Sequence, residues 1–340
     1  MRLSIPTSRL VLGGVVLLVC LLTACDGKGD KSAAKSIPRV GLMHVGTDHV
    51  PPSLGTLEAR LKQLGWTDGK DIKLIWRNLE PDEAKAQAKA FVRQRVDVIV
   101  AFEDKSIRAA QAATARPKDR IPVVFLHPSD PIRDRLVKSL SHPGGNLTGV
   151  FGPRDVVGKQ LERYELLVPR LRRVLTLVDP EDPATKRQLA EYRAAAAQLP
   201  RPLELDIRKA SNAQDLRRIF GSLRPGEVDG AFLLSSSLRL NFSALTIRLA
   251  ARANLPVQAH RKEWVEKGAL FSYGADLGPI GRAGARYVDR ILRGTSPADL
   301  SVEEVPTVEF AINLKTAAKL GIRVPQDMII RADKVYRSSA

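Results

Sequence analysis

Short apolar runs alternate with amphipathic stretches along most of the chain, and this alternation constrains the fold more than any other feature. In the first part of the chain, the pattern predicts strands at 39–45, 71–76, 96–102 and 121–126, with helices near 54–64, 83–93 and 105–115. Strands and helices of this length in alternation indicate βαβ units, which place parallel strands in one sheet.

A glycine-rich break at 143–146 is followed by a second copy of the same pattern. It predicts strands at 174–178, 203–207, 228–233, 256–258 and 308–313, with helices near 183–197, 213–223, 245–253 and 275–293. We therefore predict an α/β fold of two Rossmann-like lobes with parallel sheets, joined by a hinge that the chain crosses several times. The N-terminal lobe is expected at 38–150 and 274–300, and the C-terminal lobe at 151–273 and 301–336.

The first 24 residues are typical of a lipoprotein signal peptide rather than of a folded element. A basic start precedes an uncharged, mostly apolar run at 10–24, which is too short to span a bilayer comfortably, and a lipobox ends at Cys25. Acylation of Cys25, palmitate included, would anchor the protein, and the polar residues at 25–37 would form a flexible tether. The alternative is an N-terminal anchor that is never cut.

The position after the lipidated cysteine is Asp26, which resembles the signal that keeps lipoproteins of Gram-negative bacteria on the inner membrane. We expect the folded part at the periplasmic face of that membrane. The only other cysteine, Cys20, lies within the signal, so the mature fold has no thiol for a disulfide or a cysteine metal site.

The chain is strongly basic, with 54 Lys and Arg against 37 Asp and Glu and a formal net charge of +17. The basic residues are spread along the chain and alternate with acids, and no nucleic-acid-binding motif is present. We therefore expect no nucleic-acid partner. A solvated arginine-rich surface or weak attraction to anionic lipid headgroups explains the charge instead.

Motifs for catalysis and for cofactors are missing from the sequence. It contains no G-x-S-x-G elbow, no phosphate-binding P-loop and no H-E-x-x-H, and no G-x-G-x-x-G turn follows the first strand. His44, Asp48 and His49 share a loop, but this spacing is weak evidence for a metal. We predict that the protein is not an enzyme and holds no cofactor or metal.

Polar loops follow several predicted strands, at 44–48, 103–105, 127–130, 179–182 and 235–237. In parallel α/β sheets, ligands bind beyond the carboxyl ends of the strands, where such loops lie. Each loop alone is explained by ordinary helix capping. Only their joint position predicts a cleft between the lobes.

Three blocks of sequence carry a resemblance to a known family: IPVVFLHPSDPIRDRLVKSLSHPGGNLTGV, GALFSYGADLGPIGRAGARYVDRILRGTSPADLSVEE and VEFAINLKTAAKLGIRVPQDMIIRADKV. The chain resembles the ABC transporter substrate-binding proteins, lipoproteins related to those that bind tryptophan or other aromatic amino acids, from about Arg39 to Tyr336. The resemblance implies the type I periplasmic-binding-protein fold. It also implies a monomer that closes on a small solute, such as an amino acid or related compound, and docks on an inner-membrane ABC permease. The alternative is a lipid-anchored sensor that signals to a membrane receptor without transport.

Eleven residues are predicted to bind the solute, and they match the family's pocket loops by position or end the strands of the second lobe. They are Phe102, Glu103, Asp104, His127, Ser129, Asp130, Asp179, Ser235, Ser236, Tyr273 and Asp276. For Asp130 the alternative is a turn or cap role, for His127 local packing, and for Tyr273 packing at the hinge.

One departure from the family concerns the residues after the third strand. Where many relatives have a small, polar turn that receives an anionic group, this chain has Phe102-Glu103-Asp104-Lys105. Two carboxylates there would repel an anion unless Lys105 or Arg108 offsets them, and they would suit a cationic group. The amino-acid ligand is thus an open question at this point.

Overall fold

Two β-sheets organise the computed structural model, which describes residues 37–46, 50–80, 82–153, 156–182 and 184–337. The first sheet contains β1 (Arg39–Val45), β2 (Lys73–Leu79), β3 (Val98–Phe102), β4 (Val123–Leu126), β5 (Leu147–Phe151) and a short late strand, β11 (Glu303–Glu304). Its order is β11-β5-β4-β3-β1-β2, and every pairing is parallel. This sheet and the helices on it form the first lobe.

The second sheet contains β6 (Arg173–Val178), β7 (Glu204–Lys209), β8 (Gly230–Leu233), β9 (Val257–Ala259), β10 (Phe271–Ala275), β12 (Val308–Asn313) and β13 (Lys334–Tyr336). Its order is β13-β12-β10-β9-β8-β6-β7, with β10 and β12 antiparallel and the other pairs parallel. This sheet and its helices form the second lobe. The predicted α/β class with parallel-dominated sheets is confirmed.

The helices of the first lobe are α1 (Pro52–Gln63), α2 (Ala84–Arg93), α3 (Glu103–Ala113) and α10 (Leu277–Leu292). Those of the second lobe are α4 (Val156–Leu167), α5 (Thr185–Gln198), α6 (Ala213–Gly221), α7 (Ser236–Asn241), α8 (Ser243–Arg252), α9 (Lys262–Glu266), α11 (Leu314–Lys319) and α12 (Gln326–Arg331). Residues Ile37–Ala340 form one compact unit.

Apolar side chains cover both faces of each sheet, as parallel sheets require. In the first lobe, α1 and α10 pack on one face, and α2 and α3 pack on the other. The contact of α10 with α1 is so close that a Cβ at Gly281 would lie 2.1 Å from the carbonyl oxygen of Ser53. Glycine is therefore required where these two helices meet.

The chain passes between the lobes three times within the described residues. It leaves the first sheet after β5, returns to it from β10 through α10, and leaves it again between β11 and β12. Several crossings close together in space form a hinge of the kind expected from the sequence. The sequence places the last return to the second lobe at residue 301. In the structure this crossing follows Glu304, because β11 still pairs with β5 of the first sheet.

The N-terminal predictions lie outside the described residues. These include the signal peptide, Cys25 and the tether up to residue 36, as well as Asp48 and His49 of the loop after β1. Among the helices that the structure describes, none combines the length and the apolar character needed to cross a membrane.

Candidate functional site

The two lobes meet at the carboxyl ends of their parallel strands. Glu103, directly after β3 of the first lobe, lies with its Oε1 3.9 Å from Nη2 of Arg261, which follows β9 of the second lobe. A second pair joins the lobes where Nη1 of Arg187 donates to Oδ1 of Asp134 at 3.0 Å. The predicted polar ends of the two sheets thus face one another across an interface held by opposite charges.

A charged group at this interface, here called the cleft cluster, consists of His44, Glu103, His127, Arg239 and Arg261. The first three come from strand ends of the first lobe, and the two arginines come from the second lobe. Glu103 interacts electrostatically with each of the other four. The cluster combines one carboxylate with two guanidinium groups and two imidazoles.

Two members of this cluster have a strained backbone. Glu103 and His127 each have a φ of 61°, a left-handed conformation that residues other than glycine rarely adopt. Each is the first residue after its strand, so the unusual backbone turns the side chain toward the opposite lobe. Strain of this kind is typical of sites where function dictates the position of a side chain.

Electrostatics keep Glu103 ionised although its side chain is only one-fifth exposed. Burial alone would raise the pKa of this carboxyl, but Arg261, His44, His127 and Arg239 outweigh burial, and the pKa is lowered. The two guanidinium charges among these, on Arg261 and Arg239, come from the opposite lobe, and neither of the two residues that the sequence offered for this role supplies the charge. Lys105 is exposed, and Arg108 pairs with Asp134 at 2.9 Å.

Arg261 is the most unusual member of the cleft cluster. The residue is 7% exposed, and its Nε and Nη1 have no hydrogen-bond partner among the residues that the structure describes. A buried guanidinium normally has its donors satisfied, because unmet donors on a charged group are costly. Arg261 therefore has the capacity to bind an anionic group at the cleft.

His127 is held close to the hinge. A Cβ at Gly152 would lie 2.8 Å from the imidazole ring, so the ring fits only against glycine. Burial lowers the pKa of His127, and Arg261 and Arg239 lower it further against the opposing effect of Glu103. The imidazole is thus neutral near pH 7, and its buried Nδ1 has no hydrogen-bond partner in the described part of the chain.

A small cavity adjoins the cleft cluster between Pro52 and Leu277 of the first lobe and the 260–263 segment of the second. Its volume of about 20 Å³ holds little more than one water-sized group. Lys262 crosses one wall, where Nζ donates to Oε1 of Glu309 at 2.7 Å. This cavity is too small for an amino acid, so a solute could enter here only if the two lobes moved apart.

Several other predicted residues of the first lobe serve the fold around the site. Asp104 accepts hydrogen bonds from the backbone N–H of Ser129, at 2.8 Å, and from its hydroxyl. Burial raises the pKa of Asp104, and the bonds from Ser129 oppose that rise. Oδ1 of Asp130 accepts from two backbone N–H groups of the following turn, at 3.1 and 2.9 Å, which is the turn role foreseen as its alternative. Phe102 is buried edge-on against Trp76.

The predicted residues of the second lobe are also engaged locally. Asp179 accepts hydrogen bonds from two serine hydroxyls at 2.8 and 2.7 Å, and buried Ser235 accepts from the backbone N–H of Asp179 at 2.8 Å. Ser236 differs, because its hydroxyl accepts from Nη2 of Arg239 in the cleft cluster at 3.0 Å. Asp276 caps α10 through the N–H of Gly278, at 2.9 Å.

Tyr273 is buried in the core of the second lobe and stacks under the guanidinium of Arg163, 3.9 Å from its ring centre. Of the eleven predicted residues, the structure brings Glu103 and His127 into the cleft cluster, with Ser236 at its edge.

Sequence reasoning missed two arginines of the cluster. Arg239 lies in the short helix α7, and Arg261 directly precedes α9. Their position after strands β8 and β9 was the available signal. In the described part of the chain, no group of three or more His, Cys, Asp or Glu residues could hold a metal.

Comparisons with known proteins agree on one family. A family model described as ABC transporter substrate binding protein matches residues 45–336. A tyrosine-binding protein from Clostridioides difficile (strain R20291) is 27% identical over 329 residues, covering 92% of each chain.

Solved structures are similar over most of the chain. A conserved domain protein from Vibrio cholerae is 25% identical, with a TM-score of 0.78 over 88% of this chain and 99% of that one. An ABC domain from Streptococcus pneumonia in complex with L-Trp is 24% identical, with a TM-score of 0.75 over 88% and 100%. More distant solute-binding and periplasmic binding proteins share the architecture, so the predicted type I periplasmic-binding-protein fold is confirmed.

Proposed function

The chain belongs to the ABC transporter substrate-binding protein family, and we propose that it captures a small zwitterionic solute of the amino-acid type between its two lobes. This family binds solutes and does not catalyse reactions, which confirms the expectation that the protein is not an enzyme.

The observation that carries the proposal is the pairing of Arg261 with Glu103 across the cleft. Arg261 offers a buried positive charge with Nε and Nη1 unpaired within the described residues, and Glu103 offers a negative charge 3.9 Å away from the other lobe. A solute that carries a carboxylate and an ammonium on neighbouring atoms complements both charges at once. Asp104 is occupied by Ser129, so that of the two carboxylates after β3 only Glu103 is left to face the cleft, and this supports a solute that also carries an anionic group.

The relatives support this choice of solute class. One is a tyrosine-binding protein, and a structural relative was solved with L-Trp. Trp76 is partly exposed and stacks on His44 of the cluster with ring centres 6.5 Å apart, so it offers an apolar wall there, with buried Phe102 behind it edge-on at 5.7 Å. We therefore place aromatic amino acids first among the candidates.

Ligand binding is tested first by a thermal-shift screen of the chain from Lys28 onward, which contains the whole compact unit Ile37–Ala340. The screen includes amino acids, nucleosides, sugars and small organic ions, and a bound solute raises the melting temperature by mass action. Calorimetry then compares L-tyrosine with tyramine, which lacks the carboxylate, and with the corresponding acid that lacks the ammonium. Both truncated compounds should bind more weakly than the amino acid. Equal binding of all three, or a hit only among sugars or nucleosides, would refute the zwitterion proposal.

We also propose that the protein delivers its solute to an ABC permease from the periplasmic face of the inner membrane, anchored there by acylated Cys25 as a monomer. Mass spectrometry of the membrane fraction should detect acyl chains, palmitate among them, on Cys25, and Cys25→Ala should release the protein. Light scattering should give the molar mass of a single chain. The sensor alternative predicts that deletion of the gene leaves uptake of the bound solute unchanged, whereas import predicts that uptake falls.

A further inference from the structure

A large groove lies on the second lobe at the end opposite the cleft. It is formed where chain segments enter strands β6, β8 and β9, together with the ends of α6 and α8 and the turn at 320–323. The cleft cluster, in contrast, follows the carboxyl ends of β8 and β9. The groove and the cleft therefore lie at opposite ends of the same parallel strands, and an occupant of one does not obstruct the other.

The charge of this groove is one-sided. Its lining contains six exposed arginines and one acidic residue, Asp229; the arginines are Arg170, Arg217, Arg224, Arg248, Arg252 and Arg323. Asp229 is engaged, because its Oδ2 accepts from the backbone N–H groups of two residues at the start of β6, each at 2.9 Å. Among the described residues, Arg224 alone of the six has an ion-pair partner, Glu227 at 3.7 Å.

The arginines between the lobes have carboxylate partners, unlike most of those in the groove: Arg187 pairs with Asp134, and Arg261 pairs with Glu103. In the groove, Arg248 and Arg252 are one helical turn apart on α8, so two like charges share one face of the helix. Like charges at this spacing disfavour the helix, and nothing in the fold compensates for them within the described residues. A negatively charged partner would offset the repulsion between Arg248 and Arg252.

The size of the groove and the residues that line it indicate which kind of partner fits. Its volume is about 1350 Å³, larger than the roughly 300–1000 Å³ typical of small-molecule sites. Apolar side chains such as Leu223, Leu249 and Ile322 line it between the arginines. A flat bilayer surface cannot enter a concave groove, whereas a polypeptide segment can. Arginine forks bind carboxylates with two parallel hydrogen bonds, and arginine is enriched at protein interfaces.

We propose that this groove binds an acidic segment of a partner protein, with glutamate or aspartate on the arginines and apolar side chains against the walls between them. The partner is recognised independently of the solute in the cleft. This goes beyond the proposed function, because neither the cleft cluster nor the nature of the solute enters the argument.

The test measures binding of a fluorescein-labelled peptide of mixed glutamate and leucine residues by fluorescence anisotropy, on the chain from Lys28 onward. The double variant Arg248→Gln/Arg252→Gln removes two charges from the groove. The matched control, Arg116→Gln/Arg193→Gln, removes two charges from exposed arginines outside the groove. Thermal melts of both variants are recorded to check that each is folded.

We expect the groove variant to bind the peptide at least about tenfold more weakly than the wild type, and the control variant to bind as the wild type does. Binding should weaken with added salt, since the contacts are exposed. Equal losses in both variants would show that only the net charge attracts the peptide, and would overturn the proposal. So would arginine-dependent binding to vesicles of anionic phospholipid in the absence of peptide binding, which would assign the surface to the membrane. Wild-type affinity of L-tyrosine for the groove variant is the expected result for two independent sites.

Discussion

Neutralising Glu103 and neutralising Arg261 are predicted to affect stability very differently, although the two side chains form one pair. Coulomb's law for unit charges 3.9 Å apart gives an attraction of about 4 kcal/mol at an effective dielectric constant of about 20. Glu103→Gln removes this attraction and leaves the buried guanidinium without its carboxylate. We expect the free energy of unfolding to fall by about 2–4 kcal/mol, near the range for breaking a buried ion pair from one side.

Arg261→Gln removes the buried charge itself. The cost of keeping Nε and Nη1 away from water disappears together with the attraction, and Glu103, which is one-fifth exposed, retains Arg239 as a positively charged neighbour. We expect the free energy of unfolding to change by less than about 1 kcal/mol. Affinity for an amino acid should nevertheless fall at least about tenfold, because a charge-assisted hydrogen bond to the solute carboxylate contributes about 1.5–3 kcal/mol.

Both quantities are measured on the same preparations. Urea denaturation at neutral pH gives the free energy of unfolding, and calorimetry with the solute found in the screen gives Kd. Arg193→Gln, an exposed arginine on α5, is the control for loss of a positive charge and should change neither. The reasoning is refuted if Arg261→Gln loses as much stability as Glu103→Gln and keeps its affinity, since Arg261 would then be part of the scaffold.

Four further predictions concern stability and closure. Because the pKa of Glu103 is lowered by folding, its contribution to stability is present above the unfolded value of 4.5 and is lost as pH falls through the folded pKa; urea denaturation across acidic pH should show a loss that Glu103→Gln lacks. Asp134→Asn weakens the contact with Arg187 between the lobes and should increase the radius of gyration in X-ray scattering. Gly149→Ala places a Cβ 2.1 Å from a backbone oxygen of β4 at a φ of 154°, and should lower the free energy of unfolding by about 3 kcal/mol or more in urea. Asp179→Ala leaves two serine hydroxyls without their acceptor and should cost about 1–3 kcal/mol in the same assay, with little change in Kd.

Matched variants separate these effects from general damage. Gly158→Ala makes the same change in α4, where a Cβ meets nothing within 4 Å, and should gain about 0.5–1 kcal/mol. Similar melting of both glycine variants would contradict the packing argument. Glu191→Gln removes two pairs of a more exposed carboxylate, with Arg133 at 3.5 Å and with Arg187 at 3.8 Å, and should leave the radius of gyration unchanged. For Asp179, a loss of affinity greater than the loss of stability would instead place it in the binding site.

Strands rich in aliphatic and β-branched residues could be predicted closely from the sequence, and the expected segments 39–45 and 308–313 coincide with β1 and β12. The pattern did not single out β5 and β10. Each has five residues with a glycine inside, which weakens the signal of a strand. The glycine in β5 is Gly149, whose backbone no other residue fits. Close packing against β4 thus requires a glycine in β5, and that glycine interrupts the run of β-branched and aliphatic residues by which a strand is recognised.

The candidate site was predictable as a set of loops but only partly as a set of side chains. Loops at strand ends contain backbone N–H groups that need acceptors, and nearby carboxylates supply them. Asp130, Asp179 and Asp276 are used in this way, so a polar residue in the right loop is not thereby free to bind a solute. A sequence states which residues follow a strand but not which of them the local backbone has already engaged.

The residues that remain for the solute are those whose partners come from the other lobe. Glu103 and Arg261 approach to 3.9 Å, which is longer than the roughly 2.7–2.9 Å of a charge-assisted hydrogen bond. The pair thus draws the lobes together without saturating either group. A zwitterion bound between them would contact both lobes at once and would stabilise only the closed arrangement, which is how a ligand shifts a hinge equilibrium. Because this coupling depends on two lobes meeting, it arises from the tertiary fold and has no counterpart in any local stretch of sequence.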